Sequence, residues 1–141
     1  GQIFQNRPPS RRGKGKDVIC EQAINVDKKF AALDKAIEKW IAQKMYCEYD
    51  KTRDQIAEEL NTTKEVLNLY FTTRVGVDFR TWRTALRIEE AKKQLLENKL
   101  ASINMISEAS GFSDKSNFHR QFVKLVGCSP RHWRETDGKP E

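Results

Sequence analysis

No apolar run in the chain approaches 18 residues, so no segment is long and apolar enough to cross a membrane as a helix. A signal-peptide pattern is likewise missing. Cysteine is scarce: Cys20, Cys47 and Cys128 are odd in number and lack metal or redox spacing, as expected for reduced thiols in a cytoplasmic protein. Cys128, His119 and His132 would need a fourth ligand to hold zinc, and the sequence places none. There is no Gly-rich phosphate loop, no Ser–His or Cys–His spacing for a nucleophile, and the acids are scattered over helix surfaces. These absences argue against an enzyme and against a bound metal or cofactor. What remains is a chain of 141 residues, enough for one compact body with a tail. Its mean hydropathy of −0.76 implies a thin core under a wide polar surface.

The net charge of +6 suggests a nucleic-acid partner, but its placement matters more than its size. Residues 1–16 carry five basic groups and no acid, whereas residues 17–60 carry 7 basic and 10 acidic groups. Residues 61–100 hold 8 and 5, and residues 101–141 hold 6 and 5, so the part expected to fold is nearly neutral. DNA binding must therefore be argued from where individual cations sit.

Residues 1–26 open with Pro, Gly and basic residues and no sustained period, which predicts a basic flexible arm or linker. Gly1 in place of Met is expected either of a fragment, with partner domains upstream, or of a residue left by cloning. Asp27 is expected to cap a helix over about 28–46 with Phe30, Leu33, Ile37, Trp40 and Ile41 along it. Thr52 and Gln55 have capping-box spacing before Ile56, Ala57 and Leu60. Asn61 marks a turn, Thr63 caps the next helix, and Gly76 ends it. Asp78 opens a long helix over about 78–97 with Phe79, Trp82, Leu86, Ala91 and Leu95 inward. Ser102 starts another helix, Gly111 breaks it, Ser113 or Asp114 starts a further one, and Ser129-Pro130 caps the last. The expectation is an all-α fold of about seven helices, with a first unit over 27–77, a linker helix over 78–99, a second unit over 100–136 and a tail over 137–141.

Internal self-similarity is the strongest signal. Ile56-x-Glu58 and Thr62-Thr63 recur 50 residues later as Ile106-x-Glu108 and Phe112-Ser113. Phe71, Val75-Gly76 and Trp82-Arg83 recur 51 residues later as Phe122, Val126-Gly127 and Trp133-Arg134, so one residue has been inserted near the start of the second copy's helix. Each copy is a short helix, a tight turn of about four residues, and a second helix, which is a helix-turn-helix pattern. Phe118, Phe122, Trp82 and Trp133 repeat at the inward phase and are expected in the core, not on a stacking platform for single strands.

These residues carry a family resemblance. SINMISEASGFSDKSNFHRQFVKLVGCSPRHWRE resembles the signature of the AraC/XylS family of transcription regulators: a segment ending in Gly-Phe, a cap, two Phe four apart, a Gly, then Ser-Pro before an aromatic-Arg pair. DQIAEELNTTKEVLNLYFTTRVGVDFRTWRTALRIEEAKKQLLEN is similar to that family's first helix-turn-helix and linker helix, including Arg87 and Ala91. The likeness covers about 30–135. It implies a seven-helix body that presents two recognition helices to successive major-groove segments of double-stranded DNA, with a sensor or dimerisation domain upstream. By position it implies base readers at Glu65, Asn68 and Leu69, with Val66 nearby, and at Lys115, Ser116, Asn117 and Arg120. Phosphate candidates are Thr63, Lys64, Thr72, Arg74, Ser113, Lys124, Ser129 and Arg131. Arg83 and Arg87 are open between phosphate and structural roles, the latter through Glu89, Glu90 or nearby carbonyls.

Position 69 often holds a polar or basic reader in such proteins, and here it is Leu. The first recognition helix keeps cations only near its ends, so the second is expected to carry more of the specificity. The alternative is a helix-turn-helix body used for protein contact with weak or non-specific DNA binding. The acidic stretch 48–59, with Glu48, Asp50, Asp54, Glu58 and Glu59, is expected to be solvated and to face away from DNA, with RNA polymerase as a candidate partner.

Overall fold

The structure, a computed structural model, describes residues 13–139, with side chains from Asn25 onward. Seven α-helices and no strand occur among the described residues. They are α1 (Gly13–Ala42), α2 (Arg53–Glu59), α3 (Lys64–Tyr70), α4 (Phe79–Glu97), α5 (Ile103–Ala109), α6 (Lys115–Val126) and α7 (Pro130–Glu135). A 3-10 turn at Met45–Cys47 follows α1, and a wide π turn at Phe71–Val75 extends α3. No helix is long and apolar enough to cross a membrane among the described residues. The expected all-α architecture of two helix-turn-helix units on a long connecting helix is what forms.

Both ends of the first helix differ from the sequence reading. Helix α1 begins at Gly13, so Asp27 lies inside it instead of capping it, and residues 13–26 are helical. No Gly or Pro after Gly15 interrupts a run with frequent Ala, Lys, Glu and Gln, all good helix formers. Residues 1–12 of the expected arm lie outside the described residues. The helix also stops short of 46, because Lys44 adopts the left-handed conformation at φ 55, which ends an α-helix. Its ammonium reaches the buried Glu90 carboxylate at 3.0 Å. Burial alone would raise the Glu90 pKa, but hydrogen bonds from Gln94 and Lys44 hold it below the ordinary carboxylate range.

Helix α4 belongs to two cores. The first core joins Phe30, Leu33, Ile37 and Trp40 of α1 with Ile56, Leu60, Leu67, Tyr70, Phe71 and Phe79. Those α1 residues fall at intervals of three and four, so they form one buried stripe. The second core joins Ile88, Ala91 and Leu95 of α4 with Ile106, Phe112, Phe118 and Phe122. Trp82 and Trp133 are half-buried on the edges of these cores, Trp82 stacking on Trp40 at 5.8 Å between ring centroids. At the junction the Arg87 side chain is buried. Its Nε donates to the Tyr46 carbonyl, its Nη2 donates to the Glu48 carbonyl at 3.0 Å, and its guanidinium lies 6.0 Å from the Phe112 ring centroid. Burial, then the charge of Arg83, pushes its pKa down to about 10, so it stays protonated at neutral pH. Of the roles left open for Arg87, backbone carbonyls take it.

The two turns share their hydrogen bonds at a spacing of 50 residues. Asn61 N–H donates to Glu58 O and Thr62 N–H to Ala57 O; Gly111 N–H donates to Glu108 O and Phe112 N–H to Ser107 O. Asn61 and Gly111 are both left-handed, at φ 58 and 105. Gly111 has a further constraint. A Cβ there would lie 2.7 Å from Arg87 Nε and 3.0 Å from the Cys47 backbone. Gly127 is equally left-handed at φ 98 but has nothing within 4 Å of an added Cβ. Gly111→Ala is therefore expected to destabilise the chain by about 2–4 kcal/mol, combining left-handed strain with overpacking. Gly127→Ala should cost only about 1 kcal/mol. Urea unfolding of the two variants checks this; equal losses would refute the close-approach argument.

Candidate nucleic-acid interface

Helix α3 starts at Thr63, whose hydroxyl oxygen accepts from Val66 N at 3.2 Å, and buries Leu67 and Tyr70 against the first core. That phase leaves Glu65, Asn68 and Leu69 exposed, Leu69 at 46%, with Val66 half-buried. The expected first-helix readers thus share one exposed face. Asn68 is not free on it: Arg53, the first residue of α2, donates from Nη1 to Asn68 Oδ1 at 3.1 Å. Sequence reasoning missed Arg53, although a cation just after the Thr52 cap is a visible signal at the end of a wall helix that faces a reader.

The end of α3 is wider than an α-helix. The Thr72 and Thr73 hydroxyls donate back to the Asn68 and Leu69 carbonyls at 2.8 and 2.7 Å, and Gly76 N–H bonds five residues back to Phe71 O. Hydroxyls that compete for carbonyls four residues back bend and loosen a helix. Thr72 spends its hydroxyl hydrogen in this bond. Arg74 is also engaged, pairing with Asp34 of α1 at 2.9 Å and lying 5.3 Å from the Phe30 ring centroid. The Asp34 carboxylate accepts from the Tyr70 hydroxyl as well. Burial and that bond push the Tyr70 pKa up to about 12. Two of the expected phosphate candidates, Thr72 and Arg74, therefore have protein partners, while Lys64 is exposed.

Helix α6 buries Phe118 and Phe122, at 2% and 0% exposure, so Lys115, Ser116 and Arg120 face outward and Asn117 is half-buried beside them. The four expected readers lie within the first six residues of α6, and Asn117 and Arg120 are in contact. Arg120 Nη2 donates to Asn117 Oδ1 at 3.1 Å, and Gln121 Nε2 approaches the same oxygen at 3.5 Å. This orients the guanidinium along the face. It also uses the Asn117 carbonyl that an adenine amino group would need, so pairing with a base must exchange one bond for another.

The cap of α6 selects between the two residues the sequence offered. Asp114, not Ser113, caps the helix, its carboxylate accepting from Ser116 N at 2.9 Å and Asn117 N at 3.4 Å. The cap-to-cap offset from Thr63 is then already 51. The extra residue lies in the turn before the helix, and Ser113 is an exposed turn residue. Ser129 caps α7 by accepting from His132 N at 3.1 Å. The Thr63 and Ser129 cap oxygens accept from backbone, which leaves each O–H able to donate to a phosphate oxygen. Lys124 and Arg131 are exposed. On the wall side, Glu48, Asp50, Asp54, Glu58 and Glu59 are exposed, with Glu48 and Glu59 paired to Lys51.

A family model described as a helix-turn-helix domain matches residues 56–136. The chain is 37% identical over 67 residues to the uncharacterized HTH-type transcriptional regulator YobQ of Bacillus subtilis, covering 48% of this chain and 27% of that protein. It is 30% identical over 99 residues to the transcriptional activator NphR of a Rhodococcus species, covering 70% of this chain and 29% of the activator. The chain thus spans less than a third of the length of these relatives. Among solved structures, the C-terminal domain of AraT, a response regulator from Geobacillus stearothermophilus, superposes with a TM-score of 0.65 at 30% identity, over 74% of this chain and 84% of that one. A Chromobacterium violaceum transcriptional regulator with an AraC-type DNA-binding domain shares the fold, with a TM-score of 0.66 at 23% identity over 79% and 96% of the two chains.

The cap assignment has a direct check. Asp114→Ala should cost about 1 kcal/mol of stability by removing the acceptor for two helix amides. Ser113→Ala should change it by less than about 0.5 kcal/mol, as for an exposed residue without such a role. Chemical denaturation distinguishes them, and the reverse order would restore Ser113 as the cap.

Proposed function

The chain belongs to the AraC-type family of helix-turn-helix transcription regulators, and from that premise we propose that it binds a specific double-stranded DNA sequence by laying α3 and α6 in successive major-groove segments. The observation that carries this reading is the outward side of α6, where Arg120 is held by Asn117 and Lys115 and Ser116 are exposed in the turn before it. In this reading Arg120 bridges guanine O6 and N7 and Asn117 pairs with adenine, each bidentate pair supplying roughly 1–3 kcal/mol of discrimination. On α3, Glu65 accepts from a cytosine amino group, Asn68 donates, and Leu69 contacts a thymine methyl. Thr63, Lys64, Ser113, Lys124, Ser129 and Arg131 hold phosphates and set the docking register without reading sequence. Thr72 and Arg74 join them only by leaving Asn68 O and Asp34.

Specificity then falls mostly on α6, since α3 offers an exposed leucine where α6 offers an arginine. The same observation supports a second reading. Leu69, Val75 and Val77 are exposed together around α3 and its π turn, and an apolar reader face suits a protein contact with weak DNA binding. In this reading an upstream sensor or dimerisation domain supplies the signal, and the exposed acidic stretch 48–59 is the candidate surface for RNA polymerase.

Selection of bound duplexes from a random library is expected to enrich two blocks about 10 bp apart, centre to centre. One block would leave α3 as a docking element, and no enrichment together with capture of a stable protein partner would favour the second reading. Arg120→Ala should relax preference at one position, whereas Lys124→Ala should weaken all sequences alike and lower the salt slope of binding by about 1. Competition binding with single-base variants of the selected site measures both.

A further inference from the structure

Beside α3 two arginines converge on one aromatic ring and a third lies next to it. Arg53 of α2 and Arg83 of α4 hold their guanidinium carbons 5.6 and 5.2 Å from the Phe79 ring centroid, and Arg80 lies one residue from Phe79 along α4. Among the described residues, no carboxylate lies within 4 Å of any of the three to make an ion pair. Arg83 Nε is buried with no hydrogen-bond partner. Burial, followed by the charges of Arg53 and Arg80, depresses the Arg83 pKa from its usual value, so the three cations sense one another. The nearby carboxylate, Asp78, is occupied as the cap of α4, accepting from Thr81 N at 2.8 Å, and those bonds keep it ionised below the usual range. Like charges gathered this closely are unfavourable in isolation, and a single anion beside them relieves the repulsion.

The position of the cluster identifies the anion. Arg53 donates to Asn68 on the exposed face of α3, so the cluster sits at the edge of that face. We propose that Arg53, Arg80 and Arg83 form a binding site for one backbone phosphate of the DNA, beside the first recognition helix. The source of the phosphate rests on the DNA-binding reading above; the anion site itself does not. The site explains how α3 docks with few cations of its own: the wall helix and the start of α4 supply them. It also gives Arg53 two tasks, holding the phosphate and fixing the Asn68 carbonyl oxygen so that the amide presents its N–H groups.

The test measures binding of one selected duplex at several salt concentrations by fluorescence anisotropy, for the wild-type chain, Arg80→Gln, and Arg53→Gln combined with Arg80→Gln. Lys93→Gln, on the exposed side of α4, is the control. A second measurement follows thermal unfolding against inorganic phosphate at constant ionic strength. Arg80 and Arg53 are chosen because Arg83 holds a buried Nε; melting curves without phosphate establish that each variant folds. The double variant should lose about 0.9 of the slope of log K against log salt, the loss of one phosphate contact, equally for matched and mismatched duplexes. Lys93→Gln should keep the wild-type slope. Phosphate should raise the melting temperature of the wild type more than that of Arg80→Gln. An unchanged slope and an unchanged phosphate response overturn the site while DNA binding stands. A phosphate response that is lost in Arg80→Gln, in a chain that binds no DNA, upholds the anion site and overturns the DNA reading.

Discussion

A single buried guanidinium determines how the two halves of the molecule meet. Arg87 rises from the middle of α4, donates to the Tyr46 and Glu48 carbonyls behind the first unit, and lies against Gly111 and Phe112 in the turn of the second. Without it, two carbonyls packed against the connecting helix would lose a charged donor, a loss of about 1–3 kcal/mol each if no water replaced it. The bulk of Arg87 also dictates which residue can turn the chain opposite it. The first turn tolerates Asn61 in the left-handed conformation, whereas the second admits only Gly111, because a methyl group would meet the guanidinium at 2.7 Å.

Most of the secondary structure was legible because its signals are local. Thr52 with Gln55, Thr63, Asp78, Ser102 and Ser129 cap the helices they precede. The repeat carried the rest, since inward phases that match at a fixed spacing are hard to produce by chance. Ser113 and Asp114 were harder, since both are good caps and the choice depends on where the extra residue of the second turn sits. The start of α1 was misread because Asp27 looks like a cap, but a cap needs a preceding residue that leaves the helix, and none does.

The outward faces were read correctly as exposed, and their partners were not. Arg53 with Asn68 spans 15 residues and Arg74 with Asp34 spans 40. Such pairs depend on how α1, α2 and α3 pack, which hydrophobic periodicity does not encode. Arg120 with Asn117 spans three residues on one helix, and here spacing alone would have found the pair. The two units therefore present outward faces of different character. Arg120 of α6 is held by Asn117 on the same helix, and Asn68 of α3 by a cation from another.

Helix α4 carries residues of both cores along one continuous backbone, Phe79 at its first turn and Leu95 near its last. A helix advances about 100° and 1.5 Å per residue, so the length of α4 acts as a protractor as well as a ruler. One residue more or less between Phe79 and Ile88 would turn the second unit by more than a quarter of a circle while barely changing its distance from the first. The angular phase of α3 and α6 is thus written in a residue count. Substitution on the surface of either unit leaves that count alone, so the exposed faces of α3 and α6 can diverge while the angle between the two helices stays fixed.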